Sequence, residues 1–336
     1  MPFHRDVVVV GASAGGVEAL GTLVRSLPPD FPAAVLVVMH LAPGVSSALA
    51  RILDRAGPLD AVAAEHGAPL TGGMIHVAPP DRHLLLDDGV LVLSRGPTEN
   101  GHRPAVNATF RSAAVTAGPR VVGVVLSGVL DDGAIGLRTI VDRGGLAMVQ
   151  DPSDALYPGM PENALARVTT EYVHPADLLG KVLDKVVRTP VDDMPASPVP
   201  AALLLEERIA RDGVRLGAVT VGGSTPAAGY QCPDCQGSLL EVGSADGQFR
   251  CRIGHGWTDE ALLGAHDVEL ERALWTALRS LDERVSLAER MRRRAATRGR
   301  PGVNRRFEET VRESSAAAET LRRFLLALDQ EIRPDR

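Results

Sequence analysis

Cysteine is scarce in this chain, three among 336 residues, and long apolar runs are missing altogether. The longest apolar stretches fall far short of the roughly 20 residues that a bilayer-spanning helix needs, which excludes membrane insertion. Positive charge is not in excess either: 36 basic against 42 acidic residues leave a net charge of −6, giving no electrostatic reason to expect nucleic acid. Met1 to Asp6 followed by four valines is too short and wrongly charged for a secretory leader, so a cytoplasmic location is expected. No internal repeat is evident. What remains is ordinary globular usage, 45% hydrophobic and 23% charged residues, in a chain longer than one usual domain.

The most informative segment is VVVVGASAGG, Val7 to Gly16. An apolar run enters a glycine-rich turn with one hydroxyl, Ser13, and a helical stretch follows. A buried strand ending there would lift Ser13 above a sheet beside free backbone N–H groups that can hold an oxyanion or a phosphate. Three readings fit the turn: a nucleophile turn for acyl chemistry, a dinucleotide turn, or a plain strand-to-helix turn. The glycines at 11, 15 and 16 fit the G-x-G-x-x-G fingerprint poorly, and the next strand ends in His40 rather than an acidic residue. None of Tyr157, Tyr172 or Tyr230 has a lysine four residues later, as a short-chain dehydrogenase would require.

Two more apolar runs behave alike. Ala34 to Met39 ends at His40, and Val121 to Leu126 ends in SGVLDDGA with Asp131 and Asp132. In an open, doubly wound α/β sheet of mostly parallel strands, the C-terminal strand ends deliver their side chains to one crevice. Ser13, His40 and Asp132 could meet there. Each also has a plain structural reading: a satisfied loop histidine for His40, a helix N-cap for Asp132 ahead of Gly133.

GASAGG, MHLAPG (Met39 to Gly44), VAPPDRHL (Val77 to Leu84), HRPAVN (His102 to Asn107), LSGVLDDGAIG (Leu126 to Gly136) and PGMPENA (Pro158 to Ala164) follow in order. Together they resemble the catalytic domain of the chemotaxis receptor protein-glutamate methylesterases. The resemblance implies the doubly wound fold, a Ser13-His40-Asp132 triad with no catalytic cofactor, and hydrolysis of glutamyl methyl esters of a methylated receptor, with deamidation of glutamines as the same acyl transfer. Chain order Ser, His, Asp sets it apart from α/β-hydrolases, whose order is Ser, Asp, His. Oxyanion donors are expected at the amides of Ala14, Gly128 and Val129. Arg103, Asn107, His83 and Met160 are expected to line the crevice, with a structural role for His102-Arg103-Pro104 as the alternative.

The chain departs from the family pattern at Ala14, Val129 and Asn107, where the family usually has Thr, Met and Asp. The first strand begins near Asp6, so the receiver domain that usually precedes such a catalytic domain is not expected, and control would come from elsewhere. A non-enzymatic signalling or scaffold protein that retains the fold is the alternative reading.

Composition changes after residue 186. Proline and small residues dominate Thr189 to Ala202 and Val219 to Gly229, with a short helical piece, Leu203 to Arg211, between them, so 187–228 reads as a linker. The three cysteines then cluster. Cys232 and Cys235 form a CxxC knuckle, and Cys251 with His255 follows across a hairpin signal at Ala245-Asp246-Gly247. Three thiolates and one imidazole suit tetrahedral Zn²⁺ in a ribbon-like module over 229–257, with no position left for a substrate water, so a structural metal is expected. A CxxC redox pair or stray reduced cysteines are the other readings. Residues 258–336 read as a helical hairpin: Thr258 is a candidate N-cap, Leu263, Leu270, Leu274, Leu278, Leu281, Val285 and Leu287 keep near-helical spacing, and Gly299 to Gly302 break it. A second helix from about Asn304 to Ile332 carries Phe307, Val311, Leu321, Phe324, Leu325 and Leu328. Such a hairpin offers a surface for a partner. A catalytic domain over 1–186 is expected to act without the metal module.

Overall fold

Seven strands line up as one parallel sheet in the computed structural model, which describes residues 3–41, 44, 46–191, 198–213, 227–242 and 247–332. The sheet comprises β1 (Val7–Ala12), β2 (Ala34–Met39), β3 (Asp60–Ala63), β4 (Met74–Val77), β7 (Val121–Val125), β8 (Leu146–Gln150) and β9 (Val173–His174), in the spatial order β3-β4-β2-β1-β7-β8-β9. β1, β2 and β7 are buried along their whole length, as parallel strands covered on both faces must be. This is why they read as unbroken Val/Leu runs rather than as alternating ones.

The chain order reverses beside β1. From β1 it proceeds to β2 on one side and later returns to β7 on the other, and ligands of open α/β sheets bind at such a point. One face of the sheet is covered by α1 (Gly16–Arg25), α2 (Leu49–Ala56) and α6 (Ala176–Arg188), whose Leu20, Leu53 and Leu183 share a core with Val8, Val10 and Val35. The opposite face carries α3 (Val106–Ala117), α4 (Ala134–Asp142) and α5 (Gly159–Arg167), with Phe110, Leu137 and Ala164 packed against Val7, Val9 and Val125. Gly11 permits a close approach of α3: a Cβ there would stand 2.2 Å from Val106 Cγ1, so any larger residue would push α3 off the sheet. A hairpin of β5 (His83–Asp87) and β6 (Val90–Ser94) flanks α3.

The expected boundary at residue 186 is not where compactness ends. One compact unit runs from Met1 to Leu262. Within the stretch expected to be a linker, α7 (Ala201–Asp212) docks on the hairpin and α3: Ala210 is buried with Leu85, Ala105 and Ala108. The Ser94 hydroxyl lies 2.6 Å from the Ala210 carbonyl, and Arg211 pairs with Asp87 at 3.0 Å. An amphipathic face among prolines looks like a linker in composition, but its apolar side finds a core. The rest of that stretch falls outside the described residues in 192–197 and 214–226, as do Ala42, Pro43, Ala245 and Asp246 of the expected motifs.

A four-stranded antiparallel sheet follows in the same unit, made of β10 (Ala227–Gln231), β11 (Ser238–Glu241), β12 (Gln248–Cys251) and β13 (Gly256–Thr258). The second unit, Leu263 to Arg336, is helical and is formed by α8 (Asp259–Thr297) beyond its first turn and by α9 (Pro301–Ile332). Leu278, Ala318 and Leu325 form its core with Leu274, Leu281 and Leu321 alongside. Leu263, Leu270, Leu287 and Phe324, expected in the apolar stripe, are exposed instead. α9 begins at Pro301 rather than near Asn304, because proline at the first helical position loses no intrahelical bond. The side chain of Leu328 lies outside the described residues.

Candidate active site

Ser13, His40 and Asp132 converge at the C-terminal edge of the sheet. Ser13 follows β1, and its N–H donates to the Ser127 carbonyl at 2.9 Å, tying the turn to the end of β7. His40 follows β2. Its Nδ1 lies 3.0 Å from Ser13 Oγ, and its Nε2 donates to Asp132 Oδ2 at 2.7 Å. The ring therefore has one nitrogen free to accept from the hydroxyl while the other is held by a carboxylate.

Asp132 is buried and would be costly there unpaired. It sits on the N-terminus of α3: Val106 N–H donates to Oδ2 at 2.7 Å and Asn107 N–H to Oδ1 at 3.0 Å. Burial alone would raise the Asp132 carboxyl, but hydrogen bonds and charge from His40, with the two amides, hold it below the usual carboxylate range. It stays ionised. The Asn107 side chain in turn accepts from Gly133 N–H at 3.1 Å and Gly136 N–H at 2.7 Å, locking the start of α4 to the start of α3.

The other expected residues separate into two groups. Val129 is exposed, and the amides of Ala14 and Val129 donate to no acceptor among the described residues. Gly128, expected as a donor, gives its N–H to the Tyr157 carbonyl at 3.0 Å. Its lack of a side chain serves packing: a Cβ would stand 2.1 Å from Met160 Sδ and 2.9 Å from Ser13 Cβ. Met160 is buried beneath this turn. His83 is fully buried, its Nε2 donating to the Pro97 carbonyl at 2.9 Å and its Nδ1 accepting from Ala105 N–H at 3.3 Å. Arg103 binds Asp81 at 2.6 Å and the Gly96 carbonyl at 2.8 Å. Asn107, His83 and Met160 thus support the walls from within, since their polar atoms or bulk are already used.

Several contacts around the triad residues were not legible in the sequence. His102 stacks on His40, ring centroids 3.7 Å apart and planes 10° from parallel. Burial, with the neighbouring His40, lowers the His102 imidazole to about 4, so it stays neutral near pH 7. Glu99 is buried between Arg111 of α3 and Arg250 of β12, the latter at 3.0 Å. Burial would raise that carboxyl, but the two guanidiniums outweigh it and hold it well below the ordinary range. Asp131 accepts from the Thr258 hydroxyl at 2.7 Å, yet burial pushes its carboxyl up to about 6, with Asp132 adding to the effect. Glu99 and Arg250 are 151 positions apart, a pairing that no local spacing reveals.

Cys232, Cys235, Cys251 and His255 also come together, their ligand atoms all within 4.8 Å of one another. Cys235 Sγ and Cys251 Sγ are 3.7 Å apart, and His255 Nδ1 lies 3.6 Å from Cys232 Sγ and 3.5 Å from Cys251 Sγ. A tetrahedron with Zn–S of about 2.3 Å and Zn–N of about 2.0 Å has edges of roughly 3.5 to 3.8 Å. The donor set fits that ion.

The family model described as CheB methylesterase matches residues 8–183. The chain belongs to the CheB methylesterase family. Among its relatives is the "Protein-glutamate methylesterase/protein-glutamine glutaminase 2" of Anaeromyxobacter dehalogenans, 43% identical over 183 residues, which are 54% of each chain. A "Putative protein-glutamate methylesterase/protein-glutamine glutaminase" of Leptospira interrogans is 35% identical over 51% of this chain and 89% of its own. The crystal structure of the Thermotoga maritima CheB methylesterase catalytic domain superposes with a TM-score of 0.52 at 32% identity, covering 54% of this chain and 98% of that one. The chain spans about half the length of the first of these relatives. The matched CheB region ends before α7, so the Cys/His sheet and the helical pair lie outside it.

Proposed function

We propose that this protein is a serine esterase that hydrolyses glutamyl methyl esters of chemotaxis-type receptor proteins and deamidates glutamines by the same route. The observation that carries the reading is the unbroken relay from Ser13 Oγ through His40 to Asp132, at 3.0 and 2.7 Å. His40 Nδ1 takes the Ser13 proton as Oγ attacks the ester carbonyl, and Asp132 fixes the tautomer and stabilises the imidazolium. The oxyanion is held by the free amides of Ala14 and Val129, each donor of this kind lowering the barrier by about 3 kcal/mol. His40 returns the proton to departing methanol, or to ammonia from a glutamine. Water activated by His40 then frees the glutamate from Ser13. Methanol release from methylated receptor membranes, with Ser13→Ala as the control, tests the reading, and equal release by the two proteins would refute it.

A structural zinc in the Cys232, Cys235, Cys251 and His255 site is part of the same proposal, supported by three donor spacings of 3.7, 3.6 and 3.5 Å that equal the edges of a four-ligand tetrahedron. The helical unit is proposed to recruit a partner protein. Trp275, Leu287 and Met291 on α8 are exposed, apolar side chains that a partner would cover. No helix among the described residues is long and apolar enough to cross a membrane.

A further inference from the structure

The Cys/His sheet contacts residues that neighbour the triad at three points within the first compact unit. Arg250, next to Cys251 on β12, pairs with Glu99, and Glu99 also pairs with Arg111 of the helix whose N-terminus holds Asp132. Gly256 on β13 exchanges backbone bonds with the turn before His102: its N–H donates to the Thr98 carbonyl at 3.1 Å and its carbonyl accepts from Asn100 N–H at 2.8 Å. That turn closes through paired Glu99 and His102 backbone bonds of 3.1 and 2.8 Å, which sets the His102 ring against His40. Thr258, at the end of β13, donates its hydroxyl to Asp131 at 2.7 Å and its N–H to Asn100 Oδ1 at 3.0 Å. The same hydroxyl oxygen accepts from Ala261 N–H at 3.2 Å, capping α8. Thr258 and Asp131 are both buried.

These contacts have a common origin. Cys251 and His255 flank the connection between β12 and β13, where Cys251 N–H donates to the His255 carbonyl at 3.1 Å. A metal joining them to Cys232 and Cys235 would fix that connection, and the next three residues include Gly256 and Thr258, which bond the turn before His102 and Asp131. Placement errors near 1 Å far from the reacting atoms can cost about 100-fold in rate.

We infer that Thr258 is a positioning residue for the triad, transmitting the metal-held shape of the Cys/His sheet through Asp131 to Asp132, so that turnover depends on a metal that takes no part in the chemistry. The inference rests on the esterase reading above. Its test uses the full-length, zinc-loaded protein, labelled at Ser13 with a fluorophosphonate and assayed on a p-nitrophenyl ester. Thr258→Val should keep the zinc content of the wild type, while labelling and kcat fall about 10-fold to 100-fold and KM holds. Thr258→Ser, which keeps the hydroxyl, should restore most of the loss. Removal of zinc should slow labelling similarly and speed amide hydrogen exchange in 98–102 and 131–134 before it does so in β1, β2 and β7.

Wild-type labelling rates in Thr258→Val, or no rescue by serine, would overturn the positioning role. Unchanged labelling and exchange after chelation would overturn the metal dependence. If Thr258→Val does not fold, Thr258→Ser and the chelation arm decide alone. A wild type that labels no faster than Ser13→Ala would instead refute the esterase reading, and the positioning role would fall with it.

Discussion

His102 lies flat on His40 with ring centroids 3.7 Å apart. Two cationic rings could not stack this closely, so at least one must be neutral, and burial makes His102 that ring. The folded-state value of about 4 lies below the ordinary 6.5, so this group favours the folded protein above pH 6.5 and that advantage is lost as pH falls toward 4. At pH 5 the unfolded chain binds a proton here and the folded chain does not, which costs about 2 kcal/mol. His102→Phe keeps the ring and removes the proton. Its unfolding free energy should therefore drop about 2 kcal/mol less than the wild type's between pH 8 and pH 5 in urea titrations.

Ser13→Ala and His40→Ala should each reduce ester hydrolysis by about 10³-fold or more, and the double variant should be scarcely worse than either, because triad members act as one unit. Neither residue belongs to the hydrophobic cores, and the Val106 and Asn107 amides keep Asp132 hydrogen-bonded when His40 is removed. Melting temperatures should stay within a few degrees, which calorimetry would check beside the rate assay.

Asp132→Asn turns one acceptor oxygen into a donor that faces either the His40 Nε2 and Val106 side or the Asn107 amide. The imidazole then loses its tautomer control, and turnover should fall about 10³-fold to 10⁴-fold, as for other triads. Stability should fall as well, by about 1–3 kcal/mol, since a buried donor faces another donor. A variant with wild-type kcat would contradict the geometry.

Asn107→Ala should act mainly on stability. Its side chain carbonyl takes the Gly133 and Gly136 amides, so truncation leaves two buried donors unmet, at about 1–3 kcal/mol. Asn107→Asp keeps the acceptor and should be nearly neutral. Denaturant midpoints of the two variants would separate these outcomes.

A chain ending at residue 186 should be markedly less active and less stable than one ending at residue 262. The shorter one strips α7 from Leu85, Ala105 and Ala108 and leaves the buried Glu99 without Arg250. Glu99 keeps Arg111 but loses one of its two guanidiniums, and a partly broken buried ion pair is destabilising. Rates and melting temperatures of the two truncated chains, measured side by side, check it; equal values would show the Cys/His sheet to be dispensable.

What the sequence determined by itself was periodic and local. Fully apolar runs marked β1, β2 and β7 because strands covered on both faces admit no polar alternation, and the polar residues just past their ends were therefore bound for one edge. CxxC followed by Cys and His marked four candidate metal donors, because one tetrahedral ion would fix their number and kind. Thr258 was legible as a cap, since that role needs only its neighbour Ala261 three residues on. Tertiary structure alone decided the rest. Whether an amide is free or taken, as Val129 and Gly128 differ, depends on where the distant Tyr157 carbonyl arrives. The pairing of Glu99 with Arg250 and of Asp131 with Thr258 joins residues more than 100 positions apart, and nothing local constrains such contacts. A proline-rich composition indicated a linker, while burial of one apolar helix face made α7 part of the folded unit, because packing free energy is set by the surface that a segment meets rather than by its own sequence.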